Sequence, residues 1–262
     1  MVTPEIPLNL DEIDANFSEN FKTKKDLEKE FSKIKDKLCE LQDTLYAEGK
    51  RRILIVLQGM DTAGKDGAIK HVFKEVHLQG IRVANFKAPS KDELAHDFLW
   101  RVHKEVPGNG EIVIFNRSHY EDVLITRVHN LISEKTWVKR YEHIRNFEKL
   151  LFDEGTVILK FYLHISKEEQ KKRLLERLNN PKKKWKLLKE DVEERQYWED
   201  YLKAYNEAIS ETSTFYAPWY IIPANKKWFR NYIVAKIITK KLESLNMRYP
   251  DPEPDIENIE IY

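Results

Sequence analysis

One cysteine, Cys39, is all that the 262 residues hold, so no internal disulfide can form and the chain suits a reducing compartment. No apolar stretch approaches the roughly 20 residues that a membrane span requires. The first residues, Met1-Val2-Thr3-Pro4-Glu5, lack the basic start and apolar run of a secretory leader. The expectation is a soluble, cytoplasmic protein with no membrane partner. Excess charge of one sign is missing as well: 45 Lys and Arg stand against 44 Asp and Glu, a net charge of +1. Any anion binding must then come from local patches rather than a global field. Internal repeats are also absent. What is present is 41% hydrophobic and 34% charged residues. That is enough for a core under a heavily ionic surface, in one large α/β domain or one domain with appendages.

The most informative stretch is Ile53-Leu54-Ile55-Val56-Leu57-Gln58-Gly59-Met60-Asp61-Thr62-Ala63-Gly64-Lys65-Asp66-Gly67. Its apolar start reads as a strand buried on both faces, and Ala68 to Phe73 begins a helical pattern. Gly59 and Gly64 permit backbone conformations closed to other residues. The helix start then offers successive N–H groups and a favourable dipole to an anion, with Lys65 reaching the distal phosphates. Gly59-x-x-x-x-Gly64-Lys65 fits the Walker A spacing. Asp66 stands where that pattern has a Ser or Thr for Mg²⁺, so the metal would be held by carboxylates, Asp61 or Asp66. A chance glycine turn is the competing reading, but strand, glycines, lysine and helix all fall in register.

Along the chain, residues 1–18 read as an irregular lead-in. Glu19 to Glu48 reads as a helix with Leu27, Phe31, Ile34, Leu38, Leu41 and Leu45 on one stripe, packed on the domain or on a partner subunit. Further strands are expected at Ile81–Phe86, Glu111–Phe115, Thr156–Ile165 and Trp219–Ile222. Helices are expected from Ser90, as a capping residue, to about Glu105, over Thr136–Phe152, after Ser166, over Asp191–Glu211 and over Lys227–Leu245. Alternating strands and helices predict a parallel, doubly wound sheet, with ligands beyond the carboxyl ends of its strands.

Two other features belong at that end. After the strand ending at Phe115 comes Asn116-Arg117-Ser118-His119-Tyr120-Glu121-Asp122. Asn116 occupies the place of a Walker B acid and offers only a carbonyl oxygen. Arg117 suits a forked clamp on a phosphoryl group, and Glu121 suits an acceptor or a metal-bound water. His119 and His129 read as structural rather than catalytic. The second feature runs from Lys167 to Lys189, where ten basic residues, among them Arg173, Arg177, Lys182 and Lys186, face three acidic ones. Such a block is often a solvated helical face. Beside a phosphate loop it fits a lid that screens phosphates and excludes water. Its cations exceed the need of one nucleotide and suit a polyanion, nucleic acid or a chain of phosphates. Trp185 would stack on a base or anchor the lid. Phosphoryl transfer requires mainly alignment and charge neutralisation; Lys65, Arg117, Arg173 and Arg177 supply cations, and Lys87 leaves a strand end toward the same crevice.

The glycine loop, Phe86-Lys87-Ala88-Pro89, the run Asn116 to Val123, and the lid with Pro181 and Trp185-Lys186 resemble polyphosphate kinase family 2 over about residues 20–245. Asp66 in place of Ser or Thr is itself a mark of that family. The resemblance implies a P-loop, thymidylate-kinase-like three-layer α/β fold with a helical lid. It also implies Mg²⁺-dependent phosphoryl transfer between inorganic polyphosphate and AMP, ADP or ATP, with guanine nucleotides a further option. Asp61 matches the family's metal-binding catalytic aspartate, Lys65 its phosphate-binding lysine, and Arg117 the arginine after the Walker B strand. Arg173 and Arg177 match the lid arginines that bridge phosphates. Many members have Asp at the place of Asn116. Glu121 resembles the class III subgroup, which phosphorylates AMP as well as ADP. Such members associate as dimers or tetramers. The implied division is a helical extension over 1–50, a kinase domain over 51–246 with its lid at about 167–190, and an acidic, proline-rich tail over 247–262. An ATP-dependent nucleoside monophosphate kinase and a non-enzymatic nucleic-acid-binding module are the alternatives, the latter weakened by the near-zero net charge.

Overall fold

The computed structural model describes residues 1–4, 6, 8–254 and 256, so the end of the expected tail over 247–262 lies outside the described residues. Five strands form one parallel sheet: β1 (Arg52–Gln58), β2 (Ile81–Asn85), β3 (Ile112–Asn116), β4 (Thr156–His164) and β5 (Trp219–Pro223), in the order β2-β3-β1-β4-β5. β1 pairs with β3 from Ile53 opposite Ile112 and with β4 from Arg52 opposite Thr156. Residues 53–58 are all buried, as parallel strands covered on both faces should be.

Ten α-helices are described: α1 (Lys24–Glu48), α2 (Lys65–Val72), α3 (Lys91–Leu94), α4 (Trp100–His103), α5 (Ile125–Val128), α6 (Glu134–Asp153), α7 (Lys167–Asn179), α8 (Lys189–Glu193), α9 (Trp198–Thr212) and α10 (Lys227–Glu243). α1, α2 and α10 pack on one another and form one outer layer; α5, α6 and α9 form the other. The three-layer architecture is the one expected. β1, being central, delivers the glycine loop to the middle of the sheet's carboxyl edge, between the ends of β3 and β4.

Two helices differ from expectation, each for a local reason. The helix expected from Ser90 to Glu105 is two short ones. Ser90 caps α3 and Glu93 completes the capping box, but Asp97 then accepts the Leu99 N–H at 3.0 Å and restarts the chain. The helix expected over Asp191–Glu211 is interrupted by a 3-10 turn, Glu194–Tyr197, from which Arg195 reaches back to the Lys167 carbonyl and Gln170. The lead-in is irregular but built into the fold. Leu10 is fully buried, and the Leu8 and Leu10 N–H groups donate to Ser210 and Asn206 of α9. α1 docks on α10 through Leu27, Phe229 and Tyr232, with Glu30 accepting from the Tyr232 hydroxyl at 2.6 Å.

Candidate active site

The glycine loop follows β1 directly. Gly59 has φ +152°, and a Cβ there would lie 2.8 Å from the Leu163 carbonyl oxygen, so the turn admits no side chain. Gly64, at φ +99°, caps α2. Lys65 then folds back over the loop, its Nζ donating to the Gly59 carbonyl at 2.6 Å. Burial lowers the Lys65 pKa, helped by Arg117 and opposed by Asp61, Glu121 and Asp66.

Arg117 leaves the end of β3 with φ +62°, a conformation that a residue with a side chain holds only when its surroundings force it. Its N–H donates to the Leu57 carbonyl at 3.1 Å, tying it to β1. Its guanidinium pairs with Asp61 at 3.1 Å. Burial works against the Arg117 charge, but Glu121 and Asp61 outweigh it and the pKa is raised. Glu121 projects from a 3-10 turn, His119–Val123, capped by Ser118, whose hydroxyl also accepts from Gln58 Nε2 at 3.1 Å.

Beneath that turn lies a wholly buried polar network. Lys160 of β4 donates to Glu148 of α6 at 2.6 Å, to the Tyr120 hydroxyl at 2.8 Å and to the Thr212 carbonyl at 2.8 Å. The Tyr120 hydroxyl also meets Glu148 at 2.8 Å, and His119 Nε2 lies 3.4 Å from it. Burial pulls the Lys160 pKa down to about 8 against the attraction of Glu148. His119 is therefore a buried anchor, and His129 pairs with Glu194 at 3.0 Å.

Asp61, Lys65, Arg117 and Glu121 line one cavity of about 260 Å³. Its opposite wall comes from α8, the 3-10 turn and α9. There Glu190, Asp191 and Glu194 add carboxylates, and Trp198, Tyr201 and Tyr205 add aromatic surface. Burial raises the Asp191 pKa, and Asp61 adds to the shift. The Tyr201 hydroxyl donates to Glu194 at 2.8 Å. None of this wall was singled out from the sequence, where the residues sit in an acidic run that reads as solvated surface.

The remaining expected site residues divide. Met60, Thr62, Ala63 and Gly67 lie in the loop and the first turn of α2, and Asp66 accepts from Asn116 Nδ2 at 2.8 Å. Asn116 gives its other amide contact to Asn85 at 2.9 Å. Lys182 and Lys186 are exposed on the lid, and Trp185 is 74% exposed, its ring 5.0 Å from the Lys186 ammonium. Arg177 meets Asp191 at 3.4 Å and the Lys186 carbonyl at 3.2 Å, within the lid itself. Lys87 is exposed and does not line the cavity.

Arg173 departs from the expectation of a phosphate-bridging lid residue. It is buried, with its guanidinium bonded to Glu169 and to the carbonyls of Thr62, Ala63, Ala224 and Asn225. Its donors are spent on holding the loop from behind. A second arginine, Arg230 of α10, does the same and was not anticipated: it donates to the Ala63 carbonyl at 3.0 Å. Its sequence trace is slight: an arginine in a helix that also buries Phe229, Val234 and Ile238.

Among the described residues no group of three or more Asp, Glu, His or Cys forms a ready-made metal cage. Asp61 and Asp66 are hard oxygen donors in the glycine loop and the first turn of α2, Asp61 accepting from Arg117 and Asp66 from Asn116, each through Oδ1. That suits Mg²⁺, which commonly binds through one or two carboxylates plus substrate phosphates.

The Polyphosphate kinase 2 (PPK2) family model matches residues 21–250. The chain is 58% identical over 225 residues to an AMP/ADP-polyphosphate phosphotransferase of Meiothermus ruber, spanning 86% of this chain and 84% of that one. It is 47% identical over 231 residues to an ADP-polyphosphate phosphotransferase of Rhodopseudomonas palustris, spanning 84% and 80%. The crystal structure of polyphosphate kinase 2 from Arthrobacter aurescens TC1 superposes with a TM-score of 0.93 at 42% identity, over 96% of this chain and 90% of that one.

Proposed function

The chain belongs to the polyphosphate kinase 2 family, and we propose that it reversibly transfers the terminal phosphoryl group of inorganic polyphosphate to AMP and ADP, giving ADP and ATP. The observation that carries this reading is the convergence of Lys65, Arg117, Asp61 and Glu121 on one cavity at the foot of a lid rich in lysine. The attacking atom is an anionic phosphate oxygen, so a strong general base is unnecessary. Catalysis then rests on alignment and neutralisation of charge. Lys65 gives up its contact with the Gly59 carbonyl to bind a phosphate oxygen. Arg117, poised by Asp61, clamps the moving group. Glu121 orients the acceptor, and Arg177, Lys182 and Lys186 guide the phosphate chain. Asp61 and Asp66 would hold Mg²⁺, which supplies further neutralisation when bound. Trp198, Tyr201 and Tyr205 offer apolar surface to the acceptor nucleotide.

We further propose a cytoplasmic homodimer or homotetramer. No helix among the described residues is long and apolar enough to cross a membrane, and Cys39 is a free thiol. Residues 1–50 are proposed as a helical extension docked on the kinase domain.

The test incubates the protein with polyphosphate, Mg²⁺ and AMP, and follows ADP and ATP. Both are expected to appear, and chelation of Mg²⁺ or the substitutions Asp61→Ala and Lys65→Ala should abolish them. Wild-type rates in either variant overturn the site. Activity with ATP and a monophosphate but none with polyphosphate replaces the donor.

A further inference from the structure

Two guanidinium groups lie behind the glycine loop and share one acceptor, the Ala63 carbonyl, each at 3.0 Å. They differ in their counter-charge. Arg173 pairs with Glu169 at 2.7 Å. Arg230 is just as buried, but its other bonds go to the neutral Asn231 Oδ1, at 3.1 and 2.8 Å. Among the described residues no ion pair is formed by Arg230: the glycine loop offers it the Ala63 carbonyl, and α7 offers a second cation, Arg173. Burial, reinforced by Arg173, pulls its pKa down to about 10. A buried charge without a partner is costly, and evolution had cheaper ways to bond one carbonyl.

The position of that charge supplies the reason. A Cβ on Gly64 would lie 1.9 Å from Arg230 Nη1, and one on Gly67 would lie 3.1 Å from Nη2. The guanidinium therefore touches the far side of the helix start whose N–H groups face the phosphate. Only the thickness of one backbone separates it from an anion in the loop. With this geometry the two charges interact through a low-dielectric layer rather than through water.

We propose that Arg230 is a positioning residue whose charge, unmatched by any described side chain, is matched by the polyanion held in the glycine loop on the opposite side of the backbone. The inference rests on the reading of that loop as the phosphate site. It makes Arg230 a cost to the ligand-free protein and a gain to the complex, which no purely structural arginine would be.

The experiment compares wild type, Arg230→Met and Arg230→Lys by calorimetric titration with inorganic tripolyphosphate and by thermal unfolding with and without it. Arg230→Met is expected to unfold without ligand at or above the wild-type temperature, yet to bind tripolyphosphate about ten-fold or more weaker and to lose most of the ligand-induced rise in Tm. Arg230→Lys, which keeps the charge, should retain most of both. Should Arg230→Met not fold, Arg230→Gln carries the same comparison. Equal affinity in wild type and the charge-free variant overturns the proposal. So does failure of both charge-free variants to fold, because the guanidinium would then be a requirement of the protein alone. If the wild type itself binds no tripolyphosphate, the phosphate reading of the loop falls and takes the inference with it.

Discussion

Replacing Lys160 by Met is the sharpest test of how the Glu121 turn is held. Lys160 and Glu148 are both wholly inaccessible to solvent, 2.6 Å apart, so neither screening by water nor rearrangement at a surface softens the loss. The substitution leaves Glu148 buried with only the Tyr120 hydroxyl and His119 to stabilise its charge. Breaking one partner of such a pair costs about 3–5 kcal/mol, whereas replacing both by apolar or neutral groups of similar volume is often close to neutral. For a chain of this size each kcal/mol moves Tm by about 2–4 °C, so Lys160→Met should lower Tm by about 6–20 °C. Adding Glu148→Gln should recover most of that loss. A double-mutant cycle by urea unfolding reads the coupling directly. The turn carrying Glu121 stands on Tyr120, so kcat should fall in Lys160→Met and recover in the double variant. A single variant costing under about 1 kcal/mol, or a double variant as unstable as the sum of its parts, would refute the claim that a buried ion pair supports the turn.

Other expectations concern the loop, a carboxylate and the lead-in. Gly64→Ala forces a Cβ into a residue at φ +99° and against Arg230. It should weaken phosphate binding more than it lowers Tm, and equal affinity in a binding titration would contradict that. Burial raises the Asp122 pKa from 3.8 to about 6 despite Arg140 and Arg101. Between those values the folded protein holds a proton that the unfolded chain has lost, so the contribution of Asp122 to stability should decline as pH rises from about 4 to 6, by on the order of 3 kcal/mol. Asp122→Asn should flatten that slope in unfolding experiments, and an unchanged slope would assign it elsewhere. Leu10→Ala should cost about 2–5 kcal/mol, because Leu10 is fully buried; a loss below 1 kcal/mol would make the lead-in an ornament.

The strands were legible because a parallel sheet covered on both faces turns each one into an unbroken apolar run, as in residues 53–57. The glycine loop was legible because its constraints are local, a fixed spacing at the start of a helix. Charge was harder to read. Arg173 belongs to a lysine-rich block, and nothing in that pattern separates an arginine that faces solvent from one that turns inward to bind carbonyls 51 to 111 residues away. Arg230 carries still less signal, since its partner Ala63 is 167 residues distant. The acidic wall of the cavity had the same difficulty. Glu190, Asp191 and Glu194 acquire their role only because the 3-10 turn at Glu194–Tyr197 bends the chain back over the loop. Pattern reports which face of an element is apolar; it does not report which distant backbone a long polar side chain will find.

The sheet order also sets a timetable for synthesis. β1 lies at the centre, yet it is the first strand to leave the ribosome, and its neighbours β3 and β4 end at residues 116 and 164. At elongation speeds of roughly 5–20 residues per second, the run Ile53-Leu54-Ile55-Val56-Leu57 waits about 5–20 s for its second flank. A strand that apolar, with both edges open, is a template for pairing with other chains. Exposure to mispairing during translation is thus written into the very arrangement that centres the glycine loop.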